Sequence, residues 1–321
     1  MNDLAYQSKP TVSSLTVDEI INQAWLWLCK RRRDYPASAD GSTIELWSAR
    51  DSLVLKALSL VLSKHLNVST RCTHLKGHGG SKAAVRAVAN ALSEYRFVFR
   101  TDVKSFYASI DHLTLYKQLC ERIEDKGLRR LLWQYLRRTV EHGGLYQEIE
   151  KGISLGCPLS PLIGGLCLQP IDTALQREEL FYIRFMDDWV VLAKTRRHLR
   201  RAVRLTNQIL NELKLEKHPD KTFVGSIEKG FDFLGYHFTP QGLRMAQSSI
   251  DNFMVKATRL YEQEPHSGAL GLYVRRFTQW CTSGIRGRDK PHLCVRLIMS
   301  SVGKWLDDPV SALSCCEPER Y

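Results

Sequence analysis

The sequence contains no uninterrupted run of 18 apolar residues, no CxxC pair, no internal repeat and no low-complexity tract. These absences argue against a membrane-spanning helix, a zinc knuckle and a solenoid. The first ten residues carry no apolar core behind a basic cluster, so the expectation is a chain that is not exported, resides in the cytoplasm and takes no membrane partner. Nine cysteines are scattered from Cys29 to Cys316. That odd, dispersed count fits reduced thiols better than a disulfide framework. Acid is the scarcer charge: 34 Asp and Glu stand against 46 Lys and Arg, leaving +12. Such an excess points to a polyanionic partner, with nucleic acid ahead of an anionic membrane surface.

What is present is an ordinary globular composition, 44% apolar and 25% charged over 321 residues. That is enough chain for one large domain or two modest ones. Apolar positions recurring at three and four predict helices over 46–66, 81–95, 128–140 and 162–175. Short apolar runs bounded by Gly or Asp predict strands over 96–103, 181–186, 189–193, 221–227 and 231–238. A Pro, Ser, Asp and Gly cluster predicts a connection over 34–43. The irregular alternation gives an α+β core ending near Thr239, with a helical region over 248–305.

The chemistry concentrates in three places. In 181–193, two apolar strands flank Asp187 and Asp188, which are expected to form the tip of a hairpin. Adjacent carboxylates there repel each other, and a divalent cation would neutralise them. An exposed Asp-Asp turn is the other reading of the same residues. Asp102 closes a second apolar strand and is a third candidate carboxylate. Between them, Lys151-Gly-Ile-Ser-Leu-Gly-Cys-Pro-Leu-Ser-Pro161 places Gly152, Gly156, Pro158 and Pro161 ahead of an apolar helix. Such a loop either lets backbone approach a ligand closely or is merely a turn.

Asp102-Val-Lys-Ser-Phe-Tyr107, Gly152-Ile-Ser-Leu-Gly-Cys-Pro-Leu-Ser-Pro161 and Phe185-Met-Asp-Asp188 resemble, in order and spacing, the polymerase motifs of reverse transcriptases. His218-Pro-Asp-Lys-Thr222 and Gly230-Phe-Asp-Phe-Leu-Gly-Tyr-His-Phe238 are similar to the later palm motifs of bacterial, group II intron-like members. Trp47-Ser-Ala-Arg-Asp-Ser-Leu-Val-Leu-Lys-Ala57 resembles the segment joining fingers to palm. Tyr273-Val-Arg-Arg-Phe-Thr-Gln-Trp280 is similar to the thumb of intron-type enzymes.

This resemblance implies an α+β right-hand polymerase with short fingers (1–93), a palm of antiparallel sheet backed by helices (94–240) and a helical thumb (241–321). It implies RNA-directed DNA synthesis from a primer 3′-hydroxyl with two magnesium ions, manganese being the alternative. Asp102 and Asp187 would be metal ligands with the Val103 carbonyl, Asp188 the supporting acid, and Lys221 a catalytic lysine facing the leaving pyrophosphate. Tyr107 would exclude the sugar 2′-hydroxyl, with Phe106, Leu155 and Gly156 completing the nucleotide site. Leu155, where many members carry Gln, implies error-prone synthesis.

The implied partners are an RNA template, a DNA or RNA primer, deoxynucleotides and a dedicated non-coding RNA; the oligomeric state stays open. A stand-alone enzyme of anti-phage defence is one expectation from the resemblance. A non-catalytic maturase-like RNA-binding protein and a template-independent or protein-primed polymerase are its alternatives. Lys76, in a glycine-rich loop, and Arg196, Arg197 and Arg200, directly after the acidic hairpin, are candidate nucleic-acid contacts; a solvated basic face is the plainer reading. Cys72, His74 and His78 offer too few ligands for a zinc site.

Overall fold

The computed structural model describes residues 44–177, 179–263 and 268–284. The expected connection at 34–43, the first 43 residues of the fingers segment and 285–305 of the expected helical region lie outside them. The chain divides into two compact units, each assembled from three segments.

The first unit takes 44–75, 103–174 and 205–218 of the described residues. Its helices begin where short polar side chains cap free N–H groups. Ser48 caps Ala49–His65, Asp111 caps His112–Cys120 and Asp125 caps Lys126–Leu136. The apolar faces of these helices are buried through Leu62, Leu115, Leu119, Leu132 and Leu136. Each such residue contributes about 1.5–3 kcal/mol by leaving water.

Ser160–Cys167 is buried on nearly every side, and the chain breaks at Leu168 before Gln169–Leu175. The expected single helix over 162–175 is therefore two. The helix expected over 128–140 stops at Leu136, because Thr139–His142 (β2) pairs with Leu145–Glu148 (β3). Gly143 and Gly144, both left-handed, turn that hairpin.

The second unit takes 76–102, 175–204 and 219–284 of the described residues and carries the main sheet. Phe97–Thr101 (β1), Leu180–Phe185 (β4), Asp188–Ala193 (β5) and Phe223–Ser226 (β6) lie in the order β4-β5-β1-β6, all antiparallel. β5 reads as a continuous apolar run because it is a central strand, buried from Trp189 to Ala193. One face of the sheet, through Val98, Ile183, Val190 and Leu192, packs with Ala84, Val85 and Val88 of helix Gly80–Ala91.

The same core includes a three-stranded sheet: Phe231–Phe233 (β7), Tyr236–Thr239 (β8) and Gly242–Met245 (β9). The strand expected over 231–238 is thus two strands. Leu234 (φ 47°) and Gly235 (φ 81°) are both left-handed and reverse the chain. Helices Gln247–Gln263 and Ala269–Gly284 follow, Phe253 stacking on Tyr273 and Phe277. No helix among the described residues is long and apolar enough to cross a membrane.

Candidate active site

The acidic site is built at one end of the main sheet, on strands β4, β5 and β1. In the β4–β5 hairpin Phe185 pairs with Asp188, so the turn residues are Met186 and Asp187. Sequence reasoning put both aspartates at the tip; instead Asp188 opens β5. Met186 makes this possible by taking the left-handed conformation, φ 57°, which costs a non-glycine residue about 1–2 kcal/mol. Its carbonyl accepts a 2.7 Å hydrogen bond from Arg184 Nη1, and Arg184 is fully buried. A buried guanidinium therefore braces the turn from behind.

Thr101 pairs with Trp189 across β1 and β5. Continuing that register sets Asp102, just past the end of β1, opposite Asp188. Asp187 shares a hydrogen bond with Asp102, and Lys221 Nζ donates to Asp102 Oδ2 at 2.5 Å. Arg100, paired with Val190, lies diagonally across from Asp188 on the same face. Its guanidinium grips that carboxylate with two bonds, Nε to Oδ1 at 3.2 Å and Nη2 to Oδ2 at 3.1 Å. Thr101 Oγ1 and Thr222 Oγ1 lie 2.7 Å apart, tying the segment that carries Lys221 to the end of β1.

Three carboxylates thus face two cations. The shortfall registers in their acidities. Asp187 is pushed up to about 8, by burial first and by the neighbouring Asp102 second. Asp188 is pushed up to about 6, burial outweighing the Arg100 contact that pulls it down. The Lys221 ammonium is raised by its hydrogen bond to Asp102.

This arrangement fits a hard divalent cation, which prefers carboxylate oxygen and would take the place of the proton on Asp187. The pair that converges is Asp102 and Asp187, while Asp188 is turned to Arg100. Among the described residues no group of three His, Cys, Asp or Glu side chains is assembled for a metal. Arg100 and Arg184 escaped the sequence reading. An arginine inside each of two apolar strands was the only signal.

The second cluster lies within the first unit. Gly152 (φ +87°) has no room for a side chain: a Cβ would meet the Tyr107 carbonyl at 2.8 Å and the Ala108 Cα at 2.9 Å. Its carbonyl accepts from Arg138 Nη1 at 3.1 Å and lies 2.7 Å from His112 Nε2. The Ile153 amide donates to the Tyr107 carbonyl at 2.8 Å, which fastens the glycine loop to the turn carrying Phe106 and Tyr107. Those two rings lie 5.6 Å apart, and a Cβ on Gly164 would sit 3.1 Å from the Tyr107 ring.

Trp47 Nε1 donates to Ser154 Oγ at 2.7 Å, and the Ser154 carbonyl accepts from Ser160 Oγ at 2.5 Å. Leu155 is half-buried, its carbonyl accepting from the Glu45 amide at 3.2 Å. Gly156 is exposed and left-handed at φ +95°. The four candidate nucleotide residues, Phe106, Tyr107, Leu155 and Gly156, therefore belong to one braced cluster. Val103 belongs to this unit too, bridged to Lys217.

The remaining candidates fall elsewhere. Lys76 is exposed in a turn ahead of helix Gly80–Ala91. Arg196, Arg197 and Arg200 begin helix Arg196–Glu212, which follows the far end of β5. From Asp188 to Ala193 that strand runs five residues at roughly 3.3 Å each, about 17 Å away from the acids. Both nitrogens of His74 are occupied within the protein, Nδ1 lying 3.2 Å from Cys72 Sγ and Nε2 2.9 Å from the Pro161 carbonyl.

Comparison with known proteins gives the setting. Protein YkfC of Escherichia coli (strain K12) is 23% identical, over 48% of this chain and 50% of that protein. The putative COX1/OXI3 intron 1 protein of Saccharomyces cerevisiae is 23% identical, over 56% of this chain and 22% of that protein. The chain spans half or less of the length of these curated relatives. A telomerase structure from Candida albicans aligns at TM-score 0.48 and 12% identity, over 77% of this chain and 47% of that one. The model of the reverse transcriptase (RNA-dependent DNA polymerase) family matches residues 48–238, more than half of the chain and every acidic and glycine-loop residue described above. The chain belongs to the reverse transcriptase family, with the α+β fold of right-hand polymerases.

Proposed function

We propose that this chain extends a primer 3′-hydroxyl with deoxynucleotides on an RNA template, using the acidic end of the sheet. The observation that carries the reading is the pair Asp102 and Asp187, two carboxylates crowded at the end of two antiparallel strands with one ammonium, Lys221, in contact. Magnesium ions held there would supply the positive charge that phosphoryl transfer requires. Asp102 and Asp187 would hold them, with the Val103 carbonyl as a further ligand. Asp188 acts one step removed, its orientation fixed by Arg100.

Lys221 presents an ammonium that stays protonated well above neutrality, because Asp102 stabilises its charge. It can steady a departing pyrophosphate or give it a proton. The ring of Tyr107, packed against Gly164, is assigned to the sugar. A ring in contact with C2′ leaves no room for a hydroxyl, so Tyr107→Val should admit ribonucleotides.

The test is primer extension: purified protein, primed RNA, labelled deoxynucleotides and magnesium. The wild type should incorporate label, whereas Asp187→Asn should fold and not incorporate. Full activity in Asp187→Asn overturns the reading. Similarity to the yeast COX1/OXI3 intron 1 protein favours one second reading, an RNA-binding maturase-like protein without catalysis. Binding of RNA without incorporation on any primed substrate would select it.

A further inference from the structure

Helix Arg196–Glu212 begins in an electrostatically unfavourable way. A helix N-terminus carries partial positive charge and is stabilised by acids in its first turn. This one has none there, and starts instead with Arg196, Arg197, Arg200, Arg201 and Arg204. Three like-charge pairs stand four residues apart, Arg196 with Arg200, Arg197 with Arg201 and Arg200 with Arg204, and each repels across one turn.

At 100° per residue, Arg197, Arg200, Arg201 and Arg204 form a single stripe. All four are exposed, opposite the buried Leu199, Ala202 and Thr206. Arg201 approaches Glu179 at 3.9 Å. Arg197, Arg200 and Arg204 have no acidic partner among the described residues. The stripe continues onto the end of the sheet, where Arg196 lies over the Phe97 ring at 5.7 Å and Lys194 over the Tyr95 ring at 5.8 Å. A sequence that accumulates this much repulsion on one face, at the helix end least suited to it, marks a functional surface.

We propose that this stripe binds the phosphate backbone of a structured RNA, at a place separate from the site of polymerisation. The separation follows from the sheet: the acids lie at one end of β5 and the arginines begin past the other. Arginine suits phosphate because its planar fork makes two parallel hydrogen bonds. A lipid surface is the poorer fit, since the exposed face of this helix holds Arg, Asn and Gln with no bulky apolar side chain to insert. The choice of RNA over DNA rests on the proposed use of an RNA template. The role assigned to the stripe is to hold folded RNA by its duplex regions while another part of it is copied.

The test uses the full chain and a closed RNA hairpin of about 20 base pairs with no primer end, in chelator and without deoxynucleotides. Its outcome is therefore independent of whether the chain polymerises. The triple variant Arg197→Gln/Arg200→Gln/Arg204→Gln should bind the hairpin at least tenfold more weakly. Its salt dependence should be shallower by about 2–3 units of log K per log salt. A control that removes equal charge elsewhere, Lys117→Gln/Lys126→Gln/Arg130→Gln, should bind within twofold of wild type. On the wild type, hairpin RNA should shield Arg197, Arg200 and Arg204 from an arginine-modifying dicarbonyl.

Unchanged affinity in the triple variant, an equal loss in the control, or no shielding overturns the proposal. So does a preference for vesicles of anionic phospholipid over RNA. A DNA hairpin of the same sequence bound and shielded equally well would overturn the assignment to RNA. If the triple variant fails to fold, the shielding result on the wild type decides alone.

Discussion

Two regions that carry family motifs are organised on opposite principles. Around Gly152 the chain is fastened by its own side chains: the carbonyl is held by Arg138 and approached by His112, Ser154 is tied to Trp47 and Ser160, and no space is left for one added carbon. At the tip of β4 and β5 three carboxylates meet two cations, a non-glycine residue is left-handed, and Asp187 keeps a proton to relieve the crowding. The first region is a finished scaffold. The second is left short of positive charge, and its strain is tolerable because Arg184 and Arg100 over-determine its geometry.

The sharpest way to break the comparison is to remove one carboxylate. Asp187→Asn should lower primer extension by roughly a hundred- to thousandfold, the range for deleting one electrostatic group from a catalytic site. In chelator, however, it should not destabilise. A carboxyl whose acidity is weakened from the ordinary range to about 8 holds a proton in the folded state that the unfolded state has lost. The metal-free wild type should therefore lose stability as pH rises from about 4 to 8, and Asp187→Asn should flatten that slope. A wild-type melting curve without this slope would contradict the reading of the tip.

The opposite behaviour is expected at Gly152→Ala. Its Cβ meets backbone atoms at 2.8 and 2.9 Å, which cannot rotate away, at a φ that alanine avoids. The cost should be about 3 kcal/mol in denaturant unfolding. An effect under about 1 kcal/mol would mean that the loop yields, and that its rigidity is overstated.

Between these extremes stands Arg100→Met. Asp188 would lose its bidentate partner, and breaking a pair that is largely but not fully buried costs about 3 kcal/mol, the low end for buried pairs. More telling is the direction in pH. Without the guanidinium the Asp188 carboxyl should rise above its present value of about 6, moving the acid limb of the rate profile to higher pH. An unshifted limb would mean that Asp188 does not need to ionise.

How much of this was legible in the sequence follows from the range of the interactions. Asp102, Asp187 and Asp188 stood out because each sits at the end of an apolar run, a local pattern. Arg100 and Arg184 did not, since their roles arise from cross-strand register and from a buried approach to the Met186 carbonyl. The strand expected over 231–238 hid a turn because Leu234 gave no sign of adopting a left-handed φ. The hairpin of β2 and β3 was missed although Gly143-Gly144 marked it. There the helical period of the preceding segment was extrapolated four residues too far. The basic residues after β5 were read as neighbours of the acids by sequence distance. A strand of six residues separates its ends in space, so the two charges belong to opposite ends of the sheet.

The smallest expected effect probes a core contact away from both regions. Lys82 Nζ donates to Tyr236 Oη and to the Trp280 carbonyl, each at 2.5 Å, and lies 4.1 Å from the Trp280 ring centroid. Burial nevertheless lowers its pKa to about 8, outweighing the neighbouring Cys281, which raises it. Between about pH 8 and the ordinary lysine value the unfolded chain binds the proton that the folded chain has released. Stability should therefore climb as pH rises through that window. Lys82→Met keeps the stem in place and removes the titration, so its melting temperature should lack the climb while its value at pH 7 stays within a few degrees of wild type. A wild type that loses stability over the same window would show that the rings and carbonyl stabilise the ammonium more than burial penalises it.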